Sequence, residues 1–261
     1  MKPRILGLLA VGLLAGPMVA NASPILIVNN ASGSSEPNTT TAVTNNLSAL
    51  QVAAGNSVTV VDSLPASLDG YSQVWDVRFN LGLTGGDSTL YTSFLQGGGG
   101  LFLMGENSSF MTRNNSILSL IGALGGGAIG FNACFDGQES VQAPFTGPNA
   151  VATVNYAASG CFTGTGTGDW ITKQAAHELG AGLAFGSGTL ANAPGGSLIS
   201  ILDVNFMMGQ FDQPASQNFV GNLVGYLDEQ AAPVPEPASL TLLGLGLAGM
   251  GARRWRQRKA S

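Results

Sequence analysis

Apolar and polar positions follow two rhythms along this chain. Ile25-Leu26-Ile27-Val28 is apolar throughout and ends in Asn29-Asn30, the pattern of a strand buried on both faces that reaches a loop. Val43, Leu47, Leu50 and Ala54 then recur at helical spacing as one stripe, stopped at Gly55. A second strand follows at Val58–Val61 and a short mixed one from Gln73 to Phe79. Asp87 or Ser88 is placed to cap a helix carrying Leu90, Phe94 and Leu95, which Gly97 halts. The glycine run opens into Leu101-Phe102-Leu103-Met104, a strand without a polar side chain, and Ile117, Leu120, Ile121 and Leu124 form the next helical stripe. The rhythm returns with a strand from Leu198 to Phe206 and a last helix, capped by Ser216, carrying Val220, Leu223, Val224 and Leu227. Strands apolar on both faces that alternate with amphipathic helices predict an α/β domain with a doubly wound, mostly parallel sheet. Residues 125–194 break the pattern and are expected to form an irregular, glycine-rich insertion of short strands and loops.

The two ends obey other rules. Lys2 and Arg4 precede an apolar stretch from Ile5 to Val19, and Ala20-Asn21-Ala22 offers small residues around a cleavage point, so residues 1–22 are expected to be a signal peptide. At the other end Pro233, Pro235 and Pro237 keep the backbone extended. An apolar segment, 238–252, follows, and then the basic cluster Arg253, Arg254, Arg256, Arg258 and Lys259. Fifteen helical residues at a rise of about 1.5 Å span roughly 22 Å, short of the ~30 Å hydrocarbon core, so this segment needs its neighbours to cross a membrane. The cations favour the cytoplasmic side, which leaves the domain, 23–232, facing outward.

Setting the ends aside changes the charge. Of the 10 Lys and Arg residues only Arg78, Arg113 and Lys173 lie within 23–232, and of the 15 acids only Glu236 lies outside it. The chain's formal −5 therefore hides a domain with 14 acids against 3 cations, or −11. So few cations cannot neutralise phosphates in number, which argues against nucleic acid and anionic membrane surfaces as partners. The two cysteines, Cys134 and Cys161, are expected to form a disulfide in an exported chain, at a stabilisation of about 3 kcal/mol for a loop of this length. A catalytic thiol is the sharper alternative, but neither cysteine follows a strand at a helix start with a base nearby.

Val234-Pro235-Glu236-Pro237, the apolar segment and the basic tail together resemble the PEP-CTERM sorting signal of Gram-negative bacteria. The resemblance implies Pro235, Glu236 and Pro237 as the sorting motif and a membrane exosortase as partner. It also implies transient anchoring in the inner membrane, a cell-surface or extracellular destination and an association with exopolysaccharide. A plain anchor that is never cut is the alternative. The succession ILIVNN, SVTVVD, YSQVWDVRF, LYTSFLQGGGGLFLMGEN and LISILDVNFM…NFVGNLVGYL is similar to the class I glutamine-amidotransferase-like group, which includes ThuA-like proteins. That likeness implies a flavodoxin-like sheet.

Ligands of such sheets lie beyond the carboxyl ends of the strands. Asn29, Asn30, Arg78, Glu106 and Asn107 are the expected ligand-binding residues, with Asp62, Asn80 and Asn205 at further strand ends. Amidotransferases need a cysteine on the tight turn after the fourth strand, where an exposed thiolate attacks a carbonyl. This chain reads Met104-Gly105-Glu106-Asn107-Ser108 there. Glu106 and Ser108, with the sole histidine, His177, are the weak catalytic candidates for a hydrolase; otherwise the domain binds without catalysis. One histidine and a disulfide exclude a usual zinc site. Asp136, Glu139, Asp169, Asp203 and Asp212 lack calcium-loop spacing and support calcium only from distant positions. No metal and no cofactor is expected. The run Gly97–Gly100 precedes a strand instead of opening a helix, so it reads as a turn, not a phosphate loop. Thr163, Thr165 and Thr167 are too few for an ice-binding array.

Overall fold

The computed structural model describes residues 22–134, 137–175 and 177–230. The expected leader (save Ala22), the whole sorting segment 233–261 with its apolar helix 238–252, and Asp136 lie outside the described residues. Among the described residues no helix is long and apolar enough to cross a membrane.

The expected alternation forms. Strand β1 (Pro24–Val28), helix α1 (Pro37–Ala53), β2 (Ser57–Val61), β3 (Gln73–Asp76), α2 (Gly85–Gln96), β4 (Gly100–Met104) and α3 (Met111–Ala123) follow in order. The middle of the chain gives β5 (Gly130–Ala133), β6 (Gly137–Val141), β7 (Thr153–Tyr156), β8 (Gly160–Thr163), β9 (Asp169–Lys173), β10 (Leu179–Gly180) and β11 (Gly182–Phe185). Strand β12 (Ser197–Ile201) and helix α4 (Ala215–Gln230) close the domain. The main sheet has nine strands in the order β2-β1-β3-β4-β12-β11-β9-β6-β7. The first five are mutually parallel and the rest antiparallel.

The two faces of the parallel strands carry two apolar clusters. Ile25, Ile27, Trp75, Phe102, Met104, Ile199 and Ile201 pack against Val43 and Leu47 of α1 and Phe219, Leu223 and Leu227 of α4. Trp75 stacks on Phe102 with ring centres 4.6 Å apart. On the opposite face Leu26, Val28, Val74, Leu101, Leu103 and Leu198 meet Tyr91 and Leu95 of α2 and Ile117, Leu120 and Ile121 of α3. Period-two strands thus deliver successive side chains to different helix pairs, which is why both faces are apolar in sequence.

Residues 125–194 are more regular than their composition suggests, and they continue the expected parallel strands with antiparallel ones, which makes the sheet mixed. Four of their strands extend the main sheet, and β10-β8-β5 make a small antiparallel sheet of their own. Glycine permits the close approaches: a Cβ on Gly166, at φ +59°, would lie 2.0 Å from the Gly126 carbonyl oxygen. Two boundaries also move. The cap of α2 is Thr84, whose side chain accepts from the Asp87 amide while Asp87 returns a bond to the Thr84 amide. This reciprocal box fixes the start three residues before Asp87. The strand expected to reach Phe206 ends at Ile201, because Asn205–Met207 turn into a 3₁₀ segment.

Cys134 and Cys161 form the disulfide, with Cα atoms 5.4 Å apart across a separation of 27 residues. Cys161 lies in β8 and is fully buried. Replacing both cysteines by alanine is expected to lower unfolding free energy by about 3 kcal/mol. Urea unfolding with and without the bridge measures this; an unchanged midpoint would show that the bridge is dispensable.

Candidate functional site

Where the parallel strands end, three groups of polar side chains meet. The first surrounds Asp76, the last residue of β3, which is fully buried. Arg78 Nε and Nη2 donate to its two carboxylate oxygens at 2.9 and 2.8 Å. Arg113 Nη1 donates to Oδ2 at 3.2 Å and the Tyr91 hydroxyl to the same oxygen at 2.8 Å. Arg113 also donates to the carbonyls of Met104, Leu81 and Asp76. Burial alone would raise the Asp76 carboxyl, but the charges of Arg113 and Arg78 overcome it and hold the group well below the usual carboxylate range. Arg78 reaches Asp87 as well, at 3.2 Å, so the α2 capping box and the ion-pair cluster share a carboxylate.

The second group is built on the turn after β4. Gly105 is held there by close packing, since a Cβ would lie 2.4 Å from Leu202 Cδ2. Asn114 of α3 clamps the turn: it accepts from the Glu106 amide at 3.0 Å and donates to the Glu106 and Asn107 carbonyls at 2.6 and 3.1 Å. The Glu106 carboxylate, only 3% exposed, accepts from the Asn107 amide through Oε1 and from the Val204 amide through Oε2, each at 2.9 Å. It ties the end of β4 to the end of β12. Beside it Asp203, fully buried, accepts from the Ala157 amide at 2.6 Å and the Asn205 amide at 2.5 Å. Burial, partly offset by the backbone N–H donors of Asn107 and Val204, pushes the Glu106 carboxyl up to about 7. Burial, and then the charge of Glu106, push Asp203 well above its ordinary value.

The third group follows β1. The Asn29 side chain donates to Thr44 Oγ1 at 3.2 Å and accepts from the Ala31 amide at 3.1 Å. Asn30 takes left-handed backbone, φ 51°, ahead of the turn Ala31–Gly33. Asp62 is bound through both oxygens by Ser32.

The expected binding residues Asn29, Asn30, Arg78, Glu106 and Asn107 therefore share one edge, and Asn29, Arg78 and Glu106 have their polar atoms engaged by the protein. Asn107 caps the turn Ser108–Phe110 by accepting from the Ser109 amide. Ser108 is exposed on that turn. His177 is exposed in the turn between β9 and β10, and no hydrogen bond joins it to Glu106 or Ser108. Asp203, Asp76, Arg113 and Asn114 were not singled out for this edge from sequence. A lone acid in Ile201-Leu202-Asp203-Val204 and a lone arginine in an otherwise uncharged helix were the available signals.

The carboxylates considered for calcium do not converge. Glu139 accepts from Ala181, Asp203 from Ala157 and Asn205, and Asp212 from Asn155. Among the described residues the one group close enough to hold a metal is Cys134, Glu139 and Cys161. Both sulfurs are in the disulfide, so no thiolate is offered. Strand β8 ends at Thr163, which leaves Thr165 and Thr167 in a turn and not in a flat array.

Residues 233–257 match the PEP-CTERM protein-sorting motif. No curated protein matches the chain. Among solved structures, the N-terminal domain of mmIFT52 is similar at TM-score 0.58 and 12% identity, covering 79% of this chain and 97% of that one. The exo-β-1,4-mannosidase Op5Man5 from Opitutaceae bacterium strain TAV5 gives 0.53 and 11%, covering 81% of this chain and 36% of that one. This chain spans about a third of the mannosidase's length. A ThuA-like protein from Bacteroides uniformis ATCC 8492 gives 0.48 and 13%, covering 81% of this chain and 94% of that one. At these identities the first two likenesses concern the fold alone, and the third carries no argument. The C-terminal motif is that of an exported, exosortase-sorted protein of the cell envelope.

The raised carboxyls set a pH dependence. Glu106 moves from 4.5 to about 7 on folding and Asp203 moves the same way, so the folded chain holds protons that the unfolded chain releases. The Glu106 contribution is complete below pH 4.5 and is lost as pH rises through about 7. Unfolding free energy is expected to fall across this window. Glu106→Gln should remove a part of the slope worth roughly 3 kcal/mol, at 1.36 kcal/mol per pKa unit. Urea titrations at several pH values measure it, and a wild-type stability that rises over the same window would contradict the assignment.

Proposed function

We propose that the protein is a non-catalytic component of an exopolysaccharide-bearing cell surface, held briefly in the inner membrane by its apolar segment, 238–252, until the exosortase acts. The observation that carries this reading is the state of Glu106. It stands on the turn where amidotransferases hold their nucleophile, yet both of its oxygens accept backbone amides, and it works as a brace between β4 and β12. Ser108 and His177, exposed on separate turns, give it no catalytic partner by hydrogen bond. The parallel strands run in the chain order second, first, third, fourth, fifth, which supports the flavodoxin-like reading of the domain. Neutral polysaccharide suits a domain whose three cations are all paired within the protein.

A hydrolase is the second reading. It is favoured by the Glu106 carboxyl near 7, the range in which a carboxyl serves as general acid. The two part on one experiment. Protein recovered from host culture is expected to sediment with extracellular polysaccharide and to release no new reducing ends from it. Release that disappears in Glu106→Gln would establish the hydrolase instead, and a protein that stays in the supernatant would sink the surface-component reading.

A further inference from the structure

One hollow of the domain lies away from the carboxyl edge. Loop residues Ala66–Ser72, the end of α2 and the run Gly97–Gly99 enclose a cavity of about 360 Å³ at the opposite edge, where β3 and β4 begin. This volume falls within the range of about 300–1,000 Å³ typical of ligand sites. Leu68 is buried beneath it, and Tyr71, Leu90 and Phe94 are half-buried against the apolar cluster of α2 and α3. The Phe94 ring lies on Gly99, where a Cβ would come within 2.4 Å of it, so the glycine run makes room for an aromatic wall.

The polar groups decide what fits. The amides of Gly97, Gly98, Gly99 and Gly100 donate to the carbonyls of Ser93, Leu95, Phe94 and Ser72, each at 3.0 Å, so the glycine run offers no backbone donor to an anion. No Lys or Arg lines the cavity. Ser67 Oγ accepts from the Asp69 amide at 3.0 Å, which leaves its proton free to donate. Within the described residues no side-chain hydrogen bond engages the Asp69 carboxylate, the Tyr71 hydroxyl or the Ser93 hydroxyl.

We propose that this cavity is a binding site for one neutral sugar unit. Aromatic rings take the C–H face of a pyranose, while a carboxylate and hydroxyls exchange hydrogen bonds with its hydroxyl groups. An anion meets Asp69 and no donor charge. A hard cation finds one carboxylate where it needs six or so oxygens. The source of the sugar rests on the polysaccharide reading given above, but the site does not.

The test uses the full chain in detergent and a panel of glucose, galactose, mannose, N-acetylglucosamine and their β-linked disaccharides, read by ligand-observed NMR and calorimetry. At least one probe is expected to bind. Asp69→Asn and Tyr71→Phe, which remove an exposed charge and a single hydroxyl, should each weaken it about tenfold or more. Thr59→Ala, on exposed β2, should leave it unchanged. No binding by any probe, or equal binding in both cavity variants, overturns the site. Retention on host polysaccharide is measured alongside. Sugar binding in the cavity without retention keeps the site and removes the polysaccharide reading, and retention without sugar binding does the reverse.

Discussion

Asp76 is the constraint on which the parallel half of the domain depends. It ends β3 fully buried, and two of the three cations among the described residues are committed to it. Removing a charge from water costs several kcal/mol unless a partner and hydrogen bonds compensate. Here the compensation comes from three side chains: Arg78 beyond β3, Tyr91 on α2 and Arg113 on α3. Arg113 also takes the free carbonyl of Met104 at the end of β4. The corner of sheet and two helices is thereby fixed in one arrangement, because any other would leave a buried charge alone.

That arrangement has a consequence for function. The third cation, Lys173, is paired with Glu178 at 2.6 Å, so none of the three is uncommitted. An anionic domain whose described cations are all paired offers no free side-chain cation to phosphates or acidic polymers. Its two edges then differ in kind. The carboxyl edge carries carboxylates that brace backbone, while the amino edge has a cavity with uncommitted hydroxyls. Ser23 and Asp228, near the two ends of the described residues, also lie at the amino edge. The Ser57 amide donates to Ser23, and the Asn56 side chain donates to Asp228 near the end of α4.

Much of this could be read from the sequence where one local rule sufficed. Ile25–Val28 and Leu101–Met104 are apolar on both faces and are central strands. The stripe Val43–Leu47 and the cysteine parity also led to the right helix and bridge. The middle segment resisted because its strands are two to five residues long and rich in glycine, so no period of two develops and pairing is decided by distant partners. The site resisted for a related reason. Glu106 and Val204 are 98 residues apart and meet only because β4 and β12 pair in parallel register, Met104 beside Ile201. Arg78 was legible as a strand-end cation, but that its charge is committed to Asp76 depends on a hydrogen-bond geometry that no spacing reveals.

The most direct test of this account is a double-mutant cycle between Asp76 and Arg113, read by urea unfolding. Asp76→Asn should cost about 3–5 kcal/mol because it leaves the Arg113 guanidinium in the interior without a charge partner. Combining it with Arg113→Met should cost well under the sum of the single changes, by about 1 kcal/mol or more. Costs that add to within about 0.5 kcal/mol would mean that the two residues stabilise the domain independently and that the cluster is not its keystone.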